Sequence, residues 1–255
     1  MQTMVDVGTD TLWAEDSRGD GPVLVLVHEH VADSRMWDPI WSQLCDIYRV
    51  IRYDARGFGR SPAATREYSQ LLDLIAVLDH FGVEQAYFAG CSGGGTTVIN
   101  LALAEPARVR GAVLLAPGIT GYPFPAEPEL DAEFDALVAA GDEDGIVDLT
   151  IRIWGASGPD PFVSDLARSA ARALSSATLQ RPDPPVFERL AEIGAPSVIM
   201  VGTADRPDLI KANEQAAERI PGCTLVLMPG VDHYPTVRAP DLVLDTIRDH
   251  CSPER

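Results

Sequence analysis

The sequence predicts an α/β protein: one mostly parallel sheet of eight strands, flanked by helices on both faces. Three observations carry that expectation. Apolar, β-rich runs alternate with stretches of helical periodicity along most of the 255 residues. The clearest run, Pro22-Val23-Leu24-Val25-Leu26-Val27, is continuous rather than alternating, which marks a strand covered on both faces. One long segment lacks strand signals altogether and reads as an insertion between two strands. Strand alternating with helix implies βαβ units and right-handed crossovers.

The elements follow in order. Thr3–Val7 and Thr11–Glu15 pair as a hairpin around Gly8-Thr9-Asp10, because two short runs flank turn-forming residues. The remaining strands are Pro22–Val27, Tyr48–Tyr53, Gln85–Ala89, Ala112–Leu115, Ser197–Val201 and Thr224–Leu227. Between them Met36–Leu44, Tyr68–Phe81, Thr96–Ala104, Lys211–Ile220 and Pro240–His250 show helical spacing of apolar residues. From Pro117 to Pro196 only helical stretches occur, at Leu130–Ala140, Ile146–Trp154 and Val163–Leu174, separated by Pro and Gly. The expected organisation is a core of residues 1–116 and 197–255 with a helical lid of residues 117–196 inserted after strand 6. Open sheets bind ligands at the carboxyl ends of their strands, which is where a lid would close; a helical subdomain without gating is the other reading.

The formal charge is -18, from 20 basic and 38 acidic side chains. A duplex-binding surface needs clustered Lys and Arg to displace counterions, so nucleic acid is not an expected partner. The four cysteines, Cys45, Cys91, Cys223 and Cys251, show no CxxC spacing, which suits reduced thiols rather than a disulfide frame or zinc site. Met1–Gly8 does not read as a secretory leader. No apolar run reaches the roughly 20 residues that span a bilayer. The expectation is a cytoplasmic monomer or homodimer acting on a small molecule, without membrane contact.

The chemistry is signalled at Gly90-Cys91-Ser92-Gly93-Gly94, a GxSxG segment that runs from strand directly into helix. In that context it is a nucleophile elbow: the serine stands on a sharp turn and the glycines relieve crowding. Downstream, Asp205 follows the strand Ser197–Val201, and His233 follows the strand Thr224–Leu227. Serine, acid, histidine is a triad order that suits acyl transfer. Ser92 attacks a carbonyl, His233 takes its proton, and Asp205 orients the imidazole and stabilises its cation. Cys91 occupies the variable position of the motif, with its side chain expected in the core, where thiols are commonly inert.

With these motifs in place the chain resembles the α/β-hydrolase superfamily, in the branch of small esterases, enol-lactonases, C–C hydrolases and cofactor-free haloperoxidases. The likeness extends to Val27-His28 with Ser34-Arg35-Met36-Trp37, and to Tyr53-Asp54-Ala55-Arg56-Gly57-Phe58-Gly59-Arg60-Ser61, which is similar to the family's D-x-R-G-x-G-x-S loop. The resemblance implies an oxyanion hole made by the backbone amides of Gly93 and His30, and a structural role for His28. Such donors contribute about 3–4 kcal/mol each to transition-state stabilisation. It implies no cofactor.

The chain departs from that family at His28-Glu29-His30-Val31, where relatives usually carry small residues after the histidine. His30 either projects into the pocket and offers a polar contact or proton, or turns outward and contributes only its amide. Successive strand residues point to opposite faces, so His28, Glu29, His30 and Asp33 are not expected to converge on a metal. The expected reaction is hydrolysis of a small, mostly apolar ester or lactone through an acyl-Ser92 intermediate. Glu29, His30, Trp37, Tyr122, Phe124, Trp154 and Phe162 are the candidate pocket residues. Two alternatives stand beside it: a lyase or cyclase using Glu29 and His30, and a ligand receptor without turnover.

Overall fold

The computed structural model describes residues 1–8, 10–174 and 179–252. Its centre is one eight-stranded sheet in the order β1-β2-β4-β3-β5-β6-β7-β8. The strands are β1 (Gln2–Asp6), β2 (Thr11–Asp16), β3 (Val23–Val27), β4 (Arg49–Tyr53), β5 (Ala86–Cys91), β6 (Val109–Leu115), β7 (Ser197–Gly202) and β8 (Thr224–Met228). β2 is antiparallel to β1 and β4, while β3 to β8 with β4 run parallel. Thr9, expected at the hairpin turn, lies outside the described residues, as does part of the predicted lid at 175–178.

The helices α1 (Asp38–Cys45), α2 (Gln70–His80), α3 (Gly93–Ala104), α7 (Pro207–Arg219) and α9 (Pro240–His250) flank the sheet. Alternation along β3 shows how both faces are used. Val25 and Val27 join Leu74 and Val77 of α2 and Val98 of α3 on one face. Leu24 and Leu26 join Ile40 and Leu44 of α1 and Val243 and Ile247 of α9 on the other. A strand buried on both sides has no polar face, hence the continuous apolar run.

Helix starts are where periodicity and structure differ. α3 begins at Gly93 rather than Thr96, because three glycines carry no apolar period yet fit tightly against the sheet. Pro207 opens α7 four residues ahead of the apolar pattern, a position where a proline's missing N–H costs nothing. The expected helix Met36–Leu44 is a 3-10 turn, Ser34–Trp37, continued by α1. A one-turn helix, α8 (Pro235–Arg238), was below the reach of periodicity.

Between β6 and β7 the chain forms α4 (Pro128–Ala140), α5 (Glu143–Trp154), α6 (Pro161–Leu174) and a 3-10 helix at Phe187–Glu192. Ile146, Val147, Ala167 and Ala171 form a small core of their own, with Phe134 and Leu137 packed on it. Polar ties dock this insertion onto the sheet's carboxyl edge. Arg35 Nη1 reaches Asp165 at 2.5 Å, Ser169 Oγ donates to Asp33 at 2.5 Å, and the Ser157 amide donates to Asp232 at 3.0 Å. Among the described residues no helix is long and apolar enough to cross a membrane.

Candidate active site

The last residue of β5 is Cys91 and the first of α3 is Gly93, so Ser92 alone makes the turn. Its φ is 47° and ψ -116°, a conformation that costs an L-residue energy and that surrounding structure must hold. Ser92 N donates to Leu115 O at 2.9 Å, and Ser92 O accepts from Thr96 N at 2.9 Å and Gly118 N at 3.1 Å. These bonds over-determine the turn. Gly94 is required just below: a Cβ there would stand 2.4 Å from Val27 O and 2.5 Å from His28 O. Without that glycine α3 could not lie so close to β3. The N–H groups of the first turn of α3 have no partner inside the helix and favour negative charge beside Ser92.

Asp205 lies three residues past β7, and His233 five residues past β8, at the same edge of the sheet. His233 Nδ1 and Asp205 Oδ2 are 2.7 Å apart, and both residues are buried. Burial alone disfavours the imidazolium, but the Asp205 carboxylate, with Glu29 and Asp232 farther off, outweighs it and raises the His233 pKa above its ordinary value. The Trp154 ring lies 4.3 Å from the imidazole, and the Trp154 carbonyl accepts from His233 N at 3.2 Å. The histidine is thus held by its ring, its backbone and its acid partner.

The loop after β3 is built around two differently used histidines. His28 Nε2 accepts from Ala55 N at 2.9 Å, so its Nδ1 carries the proton, 2.6 Å from Glu29 O. His28 is a structural tie, as the resemblance implied. Asp54 fixes the neighbouring loop, accepting from Ser34 N at 3.0 Å, Arg60 N at 2.9 Å and Arg60 Nε at 3.0 Å. The His30 ring turns inward over Gly93: a Cβ on Gly93 would stand 2.5 Å from His30 Cε1. Of the two orientations open to His30 from sequence, the structure has the inward one.

Several expected pocket residues are placed elsewhere. Glu29 is fully buried beneath the elbow, where it accepts from Cys91 Sγ at 3.0 Å, so it lines no accessible wall. Burial, far more than its neighbours, pushes its pKa up to about 7. Both faces of this strand end are covered, so a place beside the oxyanion loop in sequence does not bring the Glu29 side chain into the pocket. Trp37 is also fully buried, in the core below α1 and α9, and Phe162 packs against that same core. Tyr122 packs edge-on against Phe124 and Phe187, and its hydroxyl lies 3.4 Å from Gln215 of α7. Phe124 is 40% exposed on the outer surface. Trp154 alone of these aromatic candidates touches the histidine.

Sequence reasoning missed Gln70, Thr97 and Gln180, which bind one another and His30. Gln70 opens α2 and Thr97 lies in α3, and nothing in their local pattern marks polar contacts across elements. Asp232 was also missed: it is buried and accepts from Ser157 N, Tyr234 N and Arg238. Cys91 is buried as expected, and burial raises its thiol well above the ordinary pKa. Among the described residues no three His, Cys, Asp or Glu side chains gather as a metal site.

A strained serine between a parallel strand and a buried helix, with an Asp–His pair on the neighbouring strand ends, defines a class of α/β enzymes. The chain belongs to the alpha/beta hydrolase family, whose sequence model matches residues 24–246. It is similar to 3-oxoadipate enol-lactonase 1 of Acinetobacter baylyi, 26% identical over 235 residues, covering 87% of this chain and 85% of that one. It is also similar to the zearalenone hydrolase of Bionectria ochroleuca, 27% identical over 256 residues, covering 93% and 94%. Among solved structures, the enol-lactonase from Burkholderia xenovorans LB400 superposes with a TM-score of 0.84 at 21% identity, over 97% of this chain and 98% of that one.

Proposed function

We propose that the protein is a serine hydrolase that cleaves a small, mostly apolar ester or lactone through an acyl-Ser92 intermediate. The observation that carries this reading is the buried 2.7 Å contact between His233 and Asp205, set at the sheet edge from which the strained Ser92 rises. Asp205 holds the proton on Nδ1 and leaves Nε2 as the base. His233 then takes the Ser92 hydroxyl proton as Oγ bonds to the carbonyl carbon. The alkoxide that forms sits against the amides of Gly93 and His30. Its collapse breaks the ester C–O bond, and His233 returns the proton to the leaving oxygen. Water, activated by the same imidazole, adds to the acyl group and frees Ser92.

The helical insertion acts as the lid in this reading. Trp154, at the end of α5, lies on the histidine, which ties the position of α5 to the site. An enol-lactonase and a zearalenone hydrolase among the relatives support esters and lactones as the substrate class. Four free cysteines suit a reducing compartment, and we place the protein in the cytoplasm.

A panel of aryl esters and lactones, assayed with wild type and Ser92→Ala, tests the reading. Turnover should fall at least on the order of 10⁴-fold in the variant. Turnover that survives the substitution on every active substrate would remove acyl-serine chemistry.

A further inference from the structure

The His30 side chain has a setting that the triad does not explain. Its ring lies over the first turn of α3, with the edge Nε2–Cε1–Nδ1 facing Gly93: a Cβ there would stand 2.6, 2.5 and 2.7 Å from those atoms. Phe58 stacks beside it, with ring centroids 6.0 Å apart and planes at 24°. Gln70 Nε2 lies 2.6 Å from His30 Nε2 and donates to Gln180 Oε1 at 3.1 Å. Gln70 Oε1 accepts from Thr97 Oγ1 at 3.0 Å. Both amide N–H groups are therefore used, one on each side.

An amide nitrogen only donates, so His30 Nε2 is the acceptor and the proton of the neutral ring sits on Nδ1. Burial, with His28 adding to it, disfavours the imidazolium and leaves His30 below the ordinary histidine value, and an amide N–H on the Nε2 lone pair favours the same neutral ring. The ring is therefore neutral at pH 7. It is half-buried, and among the described residues Nδ1 has no hydrogen-bond partner, although Nε2 has one. The Gln180 contact ties this arrangement to the insertion, whose segment there bridges to Tyr68.

We propose that Gln70 locks His30 as a neutral Nδ1–H donor at the rim of the oxyanion hole, and that this donor selects esters and lactones with a neutral acceptor oxygen on the carbon next to the scissile carbonyl. The inference rests on the acyl-serine reading above. In that reading the amides of Gly93 and His30 already serve the carbonyl oxygen. The ring belongs to one of those residues and is packed on the other, which in this reading places Nδ1–H beside the position of that oxygen. A neutral donor rewards a neutral acceptor without drawing in carboxylates, which suits a chain of formal charge -18. No bond is made or broken by His30; it is a positioning and selecting group.

The test compares two isosteric substrates, p-nitrophenyl methoxyacetate and p-nitrophenyl butanoate, which differ by one oxygen for one methylene. The ratio of their kcat/KM values cancels any loss through the His30 amide, which both use. His30→Phe keeps an aromatic ring and removes the donor; Gln70→Met keeps the length and releases the tautomer. The ratio should fall about fivefold to tenfold in His30→Phe, the loss of one neutral hydrogen bond, and by a smaller factor in Gln70→Met. A second readout is the imidazole ¹⁵N spectrum of the five histidines, with His30 assigned by its absence in His30→Phe. It should show a protonated Nδ1 and a bare Nε2. An unchanged ratio, or equal loss on both esters, overturns the selection, and a protonated Nε2 overturns the lock. Turnover in Ser92→Ala reports the underlying reading separately: if it is abolished while the ratio stays fixed, only the His30 proposal fails.

Discussion

At the residue scale, the Asp205–His233 pair makes a demand that substitution can test. Asp205→Asn keeps the shape but offers an N–H where Nδ1 needs an acceptor, so the imidazole turns to the wrong tautomer. kcat should fall on the order of 10³- to 10⁴-fold, with unfolding little changed; an unaltered kcat would contradict Asp205 as the orienting acid. Glu29 makes a second prediction, about stability. Its neighbours are Cys91 on β5, Asp205 after β7, and Asp232 and His233 after β8. Burial raises its pKa from 4.5 to about 7, so the folded state holds a proton that the unfolded chain releases in that range. Stability from this group is full below about pH 4.5 and is lost as pH rises through 7, by up to about 3 kcal/mol. His233, also raised, acts in the same direction above its ordinary value. Urea unfolding at pH 5 and pH 8 should show a smaller pH-dependent loss in Glu29→Gln than in wild type. The placing of Ser92, Asp205 and His233 at neighbouring strand ends was legible because motif, order and strand ends are all local features. Glu29, Trp37 and Gln70 were not, because their surroundings come from segments distant in sequence.

At the scale of elements, the junction of β3, β5 and α3 sets the geometry of the site. Gly94 lets α3 approach the backbone of Val27 and His28, and the strain at Ser92 depends on that close seat. Gly94→Ala should lower stability by about 1–3 kcal/mol as the helix is pushed outward, and lower kcat as well, since Ser92 moves with it. Denaturant unfolding and single-substrate kinetics read the two effects; an unaffected variant would show that the close approach is dispensable. The strands were readable because continuous apolar runs have no other soluble explanation, and the long helices because their apolar spacing is strong. The start of α3 was hidden by its glycines, and the 3-10 turn before α1 by its continuous period. The aromatic residues of the insertion were read as pocket wall from composition. Tyr122 instead packs on Phe124 and on Phe187, because apolarity says that a side chain is covered and not by what.

Across the whole molecule, 38 acidic against 20 basic side chains surround the candidate active site. Long-range repulsion should slow anionic substrates and spare neutral ones. Raising salt from about 10 to 200 mM shortens the Debye length from about 30 to 7 Å. kcat/KM for an anionic ester should then rise severalfold while its neutral analogue stays level; equal response would mean that the field does not reach the site. The fold class was legible in full because it rests on repetition, eight strands and their helices, and single misplacements do not change it. Within that fold Ser92 is the proposed nucleophile. Intact-mass and peptide mapping after treatment with a fluorophosphonate tests it most directly. One adduct is expected, on Ser92, with turnover lost in step, and none in Ser92→Ala. Full turnover without an adduct, or an adduct on another residue that abolishes turnover, would contradict it.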